Sequence, residues 1–297
     1  MFNVTKYESS DSRVAKYIFT CEDAIAETVL YKYPEYQERT VICCSVQSGC
    51  PVGCSFCGTG KTFIRNLDEK EIIFQVEHCL NETGVSPENI DKLQIMFMSM
   101  GEPFLNYKNL KKAIISLHKM YPNAQLLVST SAPSQALRQY FFNFTELSKS
   151  IDKVGIQFSV HESSDLERRK LIPTKTSSLQ EIEIYGRYWM IMTGRRPFFN
   201  YCVHEKNCQD KDVKALTYYF NPAIWECTLS VVCEKDETIQ RSKERQLHLI
   251  NDFSNKMLEA GYSLRIFDPA GQDDIGGGCG QLWATQKWFQ MHKTVIT

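Results

Sequence analysis

The sequence has no run of about 18 apolar residues, so no conventional transmembrane helix and no membrane association are expected. Its first residues, MFNVTKYESSDSRVAKY, lack the apolar stretch of a secretory leader. The expected location is therefore cytoplasmic and reducing. Low-complexity segments, internal repeats and Gly/Ser/Pro-rich linkers are missing too. So is an excess of positive charge: 34 Lys and Arg stand against 35 Asp and Glu, for a net charge of −1. A dedicated nucleic-acid binder is usually more basic, which counts against a broad RNA-binding face while leaving room for local patches. Finally, no second Cys-x2-Cys and no His-x3-His pair is present, which argues against a four-ligand structural zinc site.

What is present is a globular composition, 43% hydrophobic and 23% charged. Two β-like stretches, Arg13–Thr20 and Ala26–Tyr33, read as a hairpin cap over residues 1–39. From Thr40 strands and helices alternate. Strand candidates are Thr40–Val46, Leu93–Met98, Gln125–Ser129, Val154–Val160, Phe198–Val203, Glu226–Val232 and Ser263–Phe267. Between them lie helical stretches at Asp68–Glu82, Tyr107–Met120, Ser134–Ser148, Ser177–Met192, Asp210–Phe220 and Gln240–Ala260. In the first of these Ile72, Ile73, Val76 and Leu80 follow a 3.6-residue period. Such alternation predicts βαβ units and a parallel sheet. The expected fold is α/β, a partial (β/α) barrel over residues 40–297 with a small N-terminal β extension; a flat doubly wound sheet is the alternative. Polar residues gather just after successive strands, at Ser99–Pro103, Ser129–Ser131 and Ser159–His161, as they do where strand ends share one mouth.

Twelve cysteines are many for a chain in a reducing compartment. Cys79, Cys202, Cys208 and Cys227 are scattered and read as small buried hydrophobes. Cys50, Cys54 and Cys57 are different: they fall within eight residues, GCPVGCSFCGTG, directly after the first barrel strand. Three thiolates in a glycine-bearing loop suit a cubane iron–sulfur cluster with one iron left open, and Phe56 before the last cysteine would shield it. Zinc is the competing reading.

The Cys-x3-Cys-x2-Cys spacing with its aromatic resembles the radical S-adenosylmethionine (SAM) superfamily, and Met100-Gly101-Glu102-Pro103 resembles that superfamily's Gly-Glu-Pro segment. The resemblance narrows to the radical SAM RNA adenine methyltransferases. It is carried by Cys43–Cys50 (CCSVQSGC), Phe97–Tyr107 (FMSMGEPFLNY), Ser129–Ser131, Ser159–His161, Asp273-Asp274-Ile275 and Gly278-Cys279-Gly280-Gln281-Leu282. These enzymes methylate carbon 2 of an adenine in 23S ribosomal RNA or tRNA, and resistance relatives methylate carbon 8. The resemblance implies a 4Fe-4S cluster on Cys50, Cys54 and Cys57, SAM as cofactor, an RNA substrate and an electron donor such as flavodoxin. It implies SAM contacts at Gly101, Glu102, Ser131, Ser159 and His161. It also implies a sulfur relay: Cys279 is methylated, Glu27 accepts a proton, and Cys43 resolves the adduct, leaving a Cys43–Cys279 disulfide that thiols reduce. Read by themselves, Glu27 is a solvated strand residue and His161 a satisfied loop histidine. Alternation along the strand should turn Cys44 away from the face of Cys43.

The chain departs from the family in three ways. Only about forty residues precede Cys43, where family members carry a helical domain that grips RNA. Val231-Val232-Cys233-Glu234 stands in place of the family's Trp-Asn-Pro, and Asp268-Pro269-Ala270-Gly271-Gln272 in place of basic residues. Candidate phosphate contacts are Lys61, Arg65, Arg168-Arg169-Lys170 and Arg195-Arg196, although basic pairs are usually solvated faces. Two alternatives follow: an enzyme of the same ancestry acting on a nucleotide or other small heteroaromatic, and a non-catalytic iron–sulfur sensor.

Overall fold

The computed structural model describes residues 2–60, 62–231, 239–267, 274–276 and 281–292. The chain divides into two units: Met1–Ser129 with Ile151–Gly155 and Pro269–Thr297, and Thr130–Ser150 with Ile156–Asp268.

The first unit opens with three antiparallel strands, β1 (Asn3–Glu8), β2 (Val14–Cys21) and β3 (Ala24–Lys32). The sequence predicts β2 and β3 but not β1, whose six residues are all exposed and so show no in-out alternation. β4 (Arg39–Cys44) pairs antiparallel with β3. β5 (Gln47–Gly49) and β6 (Phe63–Asn66) form a separate two-stranded ribbon. Helix α1 (Glu69–Thr83) begins with a reciprocal cap, in which Asp68 accepts from the Glu71 N–H and Glu71 accepts from the Asp68 N–H. It ends at Gly84, whose φ of 65° is the left-handed conformation of a helix stop. Ile72, Gln75, Val76, Cys79 and Leu80 form its buried face. β7 (Lys92–Phe97), α2 (Tyr107–Met120) and β8 (Gln125–Thr130) complete the βαβ pattern, with β4, β7 and β8 parallel.

The second unit continues the alternation with α3 (Ser134–Ser150), β9 (Val154–Ser159), α4 (Asp165–Leu171), α5 (Leu179–Thr193), β10 (Phe198–Val203), α6 (Asp210–Tyr219), β11 (Glu226–Val231), α7 (Ile239–Glu259) and β12 (Leu264–Phe267). Neighbouring strands from β9 to β12 are parallel. Aromatic packing fills this core: Phe158 meets Trp225 at 5.7 Å and Phe199 stacks on Phe220 at 5.0 Å. A Cβ at Gly186 of α5 would stand 2.1 Å from the Trp225 indole, so only glycine admits that ring.

Helix α8 (Trp283–Met291) returns to the first unit, where Phe289 packs on Ile18, Ile25 and Met100. α4 and α8 are absent from the sequence prediction, being short at seven and nine residues. The α/β class, the parallel strands and the β extension are those expected. Among the described residues no helix is long and apolar enough to cross a membrane.

Candidate functional site

The Cys50, Cys54 and Cys57 loop hangs from the β5–β6 ribbon. The Cys50 N–H donates to the Thr62 carbonyl at 2.7 Å, closing the ribbon's mouth, and the Cys57 N–H donates to the Cys54 carbonyl at 3.1 Å. Gly49 sits at φ 79°, and a Cβ there would lie 2.2 Å from the Thr62 oxygen. The loop's tight entry therefore requires glycine. Burial, with smaller contributions from the nearby Cys57 and Glu102, pushes the Cys50 thiol up to about 12. Such a thiol ionises only beside a strong positive charge, which bound iron provides. A cubane takes each cysteine on a different iron, so its ligands stand wider than those of zinc. The donor set fits an iron–sulfur cluster.

Behind this loop lies Gln47, a residue to which the sequence reading assigned no role. Its Oε1 accepts from the Glu102 N–H at 2.8 Å and its Nε2 donates to Asn66 Oδ1 at 2.8 Å. Gln47 thus ties the Gly101-Glu102-Pro103 segment to the ribbon that carries the cysteines. Gly101, at φ 98°, has no room for a side chain: a Cβ would stand 2.6 Å from Gln47 Cβ. The Glu102 carboxylate is buried and accepts from the Phe104 N–H at 3.1 Å. Asn106 locks the same region from below, donating to the Val46 and Leu67 carbonyls at 2.6 and 2.7 Å.

One face of β2, β3 and β4 carries the other candidates. Register puts Ile18 opposite Glu27, and Val29 opposite both Lys16 and Cys43. Since directly opposed residues share a face, Lys16, Glu27 and Cys43 lie on the same side. Cys43 is half-buried and packs against the cluster of Val14, Val29, Tyr31 and Val41, as Met96 and Ile275 also do. Cys44 is fully buried, in keeping with its opposite direction, and burial lifts its thiol to about 12. Glu27 is not solvated as its isolated reading has it: it is 1% exposed. Both faces of β3 are covered, and a carboxylate there needs partners. Lys16 Nζ stands 2.7 Å from its Oε1, and the Thr285 hydroxyl of α8 donates to its Oε2 at 2.9 Å. The Ser45 and Ser99 hydroxyls donate to the Glu27 carbonyl at 2.7 and 2.6 Å. Cys279 lies outside the described residues, as do Asp273 and Lys61.

Ser131, Ser159 and His161 lie in the second unit. His161 is buried at φ 62°; its N–H donates to the Asn200 carbonyl at 3.1 Å, and its carbonyl accepts from Asn207. Burial, then the Arg168 cation, pushes its imidazole down to about 3, so the ring is neutral. Arg168 itself is no phosphate contact. Its guanidinium is 1% exposed and donates to the Ser131 carbonyl at 2.8 Å, the Ser159 carbonyl at 3.0 Å, the Ser177 carbonyl at 3.0 Å and Thr176 Oγ1 at 2.7 Å.

Other basic candidates are engaged within the fold. Arg65 pairs with Asp23 at 2.9 Å and Glu71 at 2.8 Å. Arg195 lies 4.9 Å over the Trp189 ring, and Arg196 donates to the Pro222 and Trp225 carbonyls. Arg169 and Lys170 are exposed, with Lys170 paired to Glu167.

No protein-family model matches the sequence. Individual proteins do. The chain is 31% identical over 300 residues to the "Probable dual-specificity RNA methyltransferase RlmN" of Thermus thermophilus, covering 94% of this chain and 76% of that protein. It is 30% identical over 288 residues to the protein of the same description from Pseudothermotoga lettingae, covering 94% and 78%. Among solved structures, a radical SAM methyltransferase from Sphaerobacter thermophilus superposes with a TM-score of 0.76 at 26% identity, over 94% of this chain and 80% of that one. With identity above 30% to a relative of which it spans three quarters, and with the cysteine loop and Gly-Glu-Pro segment joined through Gln47, the chain belongs to the RlmN family of dual-specificity RNA methyltransferases.

Proposed function

We propose that this chain methylates an adenine carbon of RNA, in 23S ribosomal RNA or tRNA, by a two-cysteine sulfur relay. Cys50, Cys54 and Cys57 would hold a 4Fe-4S cluster, and Gly101, Glu102, Ser131, Ser159 and His161 would contact SAM. When bound, this pair supplies one-electron chemistry strong enough to activate an unreactive methyl group. The chain's own residues aim that chemistry. Cys279 accepts a methyl group as a thioether, gives up one of its hydrogens, and presents the carbon to the electron-poor adenine ring. Glu27 takes the ring proton. The Cys43 thiolate attacks the Cys279 sulfur as the sulfur–carbon bond breaks; the released methylene carbon takes a proton to become the methyl group, the surplus electron returns to the one-electron carrier, and the two sulfurs are left as a disulfide for external thiols to reduce.

The observation that carries this reading is that Ile275 and Cys43 pack against one cluster of Val14, Val29, Tyr31 and Val41, because only three residues lie between Ile275 and Cys279 in the chain. Peptide mass spectrometry on protein carrying an intact cluster tests the relay. A methyl group on Cys279, together with anaerobic transfer of label from SAM to rRNA or tRNA fragments, is the expected result. An unmodified Cys279 after incubation with SAM overturns it. Methylated Cys279 without transfer to RNA favours the small heteroaromatic substrate, a reading that the internal engagement of Arg65, Arg168, Arg195 and Arg196 supports.

A further inference from the structure

Lys16 lies in the middle of β2 with its side chain 1% exposed. A lysine so deeply buried keeps its charge only if its ammonium is fully engaged. The partners are specific. Nζ stands 2.7 Å from Glu27 Oε1, and it donates to the carbonyl of Gly276. Gly276 belongs to the short described segment 274–276, whose other two residues are also tied down. Asp274 Oδ2 accepts from the Ser10 N–H at 2.7 Å, and Ile275 packs in the cluster of Val14, Val29, Val41 and Cys43. One ammonium therefore joins the carboxylate proposed as proton acceptor to a main-chain carbonyl three residues before Cys279.

An apolar pair of the same volume would serve stability as well as a buried ion pair does. What the ammonium adds is position, since it holds a backbone carbonyl at a fixed point on the face that carries Cys43. We propose that Lys16 is a positioning residue for the sulfur relay: it registers the segment leading to Cys279 against Glu27 and Cys43. The inference rests on the relay proposed above.

Lys16→Met alone would strand the Glu27 carboxylate without a counter-ion and risks misfolding. The test therefore compares Glu27→Gln with the double variant Lys16→Met/Glu27→Gln, which buries a neutral pair. Glu27→Gln keeps a donor at position 16; the double variant does not. Two readouts are taken on cluster-loaded protein: the rate at which a mild thiol oxidant links Cys43 to Cys279, followed by peptide mapping, and the rate at which deuteriomethyl SAM labels Cys279. SAM affinity and the thermal midpoint are recorded alongside. A misplacement of about 1 Å is enough for a rate loss of about 10- to 100-fold. The double variant is expected to fall below Glu27→Gln by about that factor in both rates, with SAM affinity unchanged and a thermal midpoint no lower, since Glu27→Gln leaves the Lys16 ammonium buried without its counter-ion. Equal rates in the two variants overturn the role of Lys16 while the relay stands. A wild-type Cys279 that takes no methyl overturns the relay and this role together.

Discussion

Replacing Arg168 by methionine should weaken both the second unit and its grip on SAM. Methionine keeps much of the aliphatic volume and removes the guanidinium. The carbonyls of Ser131, Ser159 and Ser177 and the Thr176 hydroxyl then lose a charged donor at 2.7–3.0 Å. Hydrogen bonds from a charged donor contribute about 1.5–3 kcal/mol each. The guanidinium's own desolvation offsets several kcal/mol of their sum. The net loss is about 3–5 kcal/mol, at the severe end for a single substitution. Arg168→Lys should fall between, because a compact ammonium cannot span acceptors spread over two loops and a turn. Urea titration followed by far-ultraviolet circular dichroism measures the loss as a lowered midpoint at constant slope. Ser131 and Ser159 are proposed SAM contacts, so their displacement should also raise the SAM dissociation constant about tenfold, equivalent to about 1.4 kcal/mol. An Arg168→Met protein destabilised by less than about 1 kcal/mol, with unchanged SAM affinity, would refute the reasoning: the carbonyls would then have found other donors at no cost.

Two other outcomes follow from local geometry. Gly49→Ala places a methyl 2.2 Å from the Thr62 oxygen at a φ of 79°, where the left-handed backbone alone costs about 1–2 kcal/mol. Iron and sulfide content after anaerobic reconstitution should fall well below wild type, and retention of a full cluster would contradict the closed loop mouth. His161 titrates near 3 when folded and near 6.5 when unfolded, so the unfolded chain binds more protons between those values. Stability should be fully present above pH 6.5 and decline as pH falls through that window, by about 2 kcal/mol at pH 5. His161→Gln should flatten this part of the stability profile, and a profile identical to wild type would show that another group is responsible.

The elements that the sequence revealed are those whose cues are local. Phe198–Val203 and Tyr107–Met120 keep their predicted bounds because the cue of each is local, a short buried run in the one and a 3.6-residue stripe of Tyr107, Leu110, Ala113, Ile114 and Leu117 in the other. The Cys50, Cys54 and Cys57 loop and the Gly101-Glu102 segment are legible for the same reason: each motif fits in one short stretch. The hidden parts depend on partners far away in sequence. Glu27 reads as solvated until β2 supplies Lys16 and α8 supplies Thr285, 258 residues on. Arg168 reads as a surface cation beside Arg169 and Lys170, yet α4 turns it inward onto the carbonyl of Ser131 and that of Ser159 at the end of β9. Lys16 carries no signal at all, since a single lysine in a strand is ordinarily an exposed residue. Gln47 stood inside a quoted motif, but its bond to Glu102 crosses 55 residues.

Among the described residues β1 is the outermost strand beside β2, and it carries nothing inward. Its worth lies in what it covers. Lys6 at mid-strand pairs with Glu8 and Glu82, so the free rim of the sheet is charged and resists pairing with another chain. Trimming the first eight residues would transfer that rim to β2, whose VAKYIF stretch carries one charge, Lys16, and that one is spent on Glu27. A shortened chain would keep every residue of the cysteine loop and yet tend to stack strand on strand into aggregates as its concentration rises.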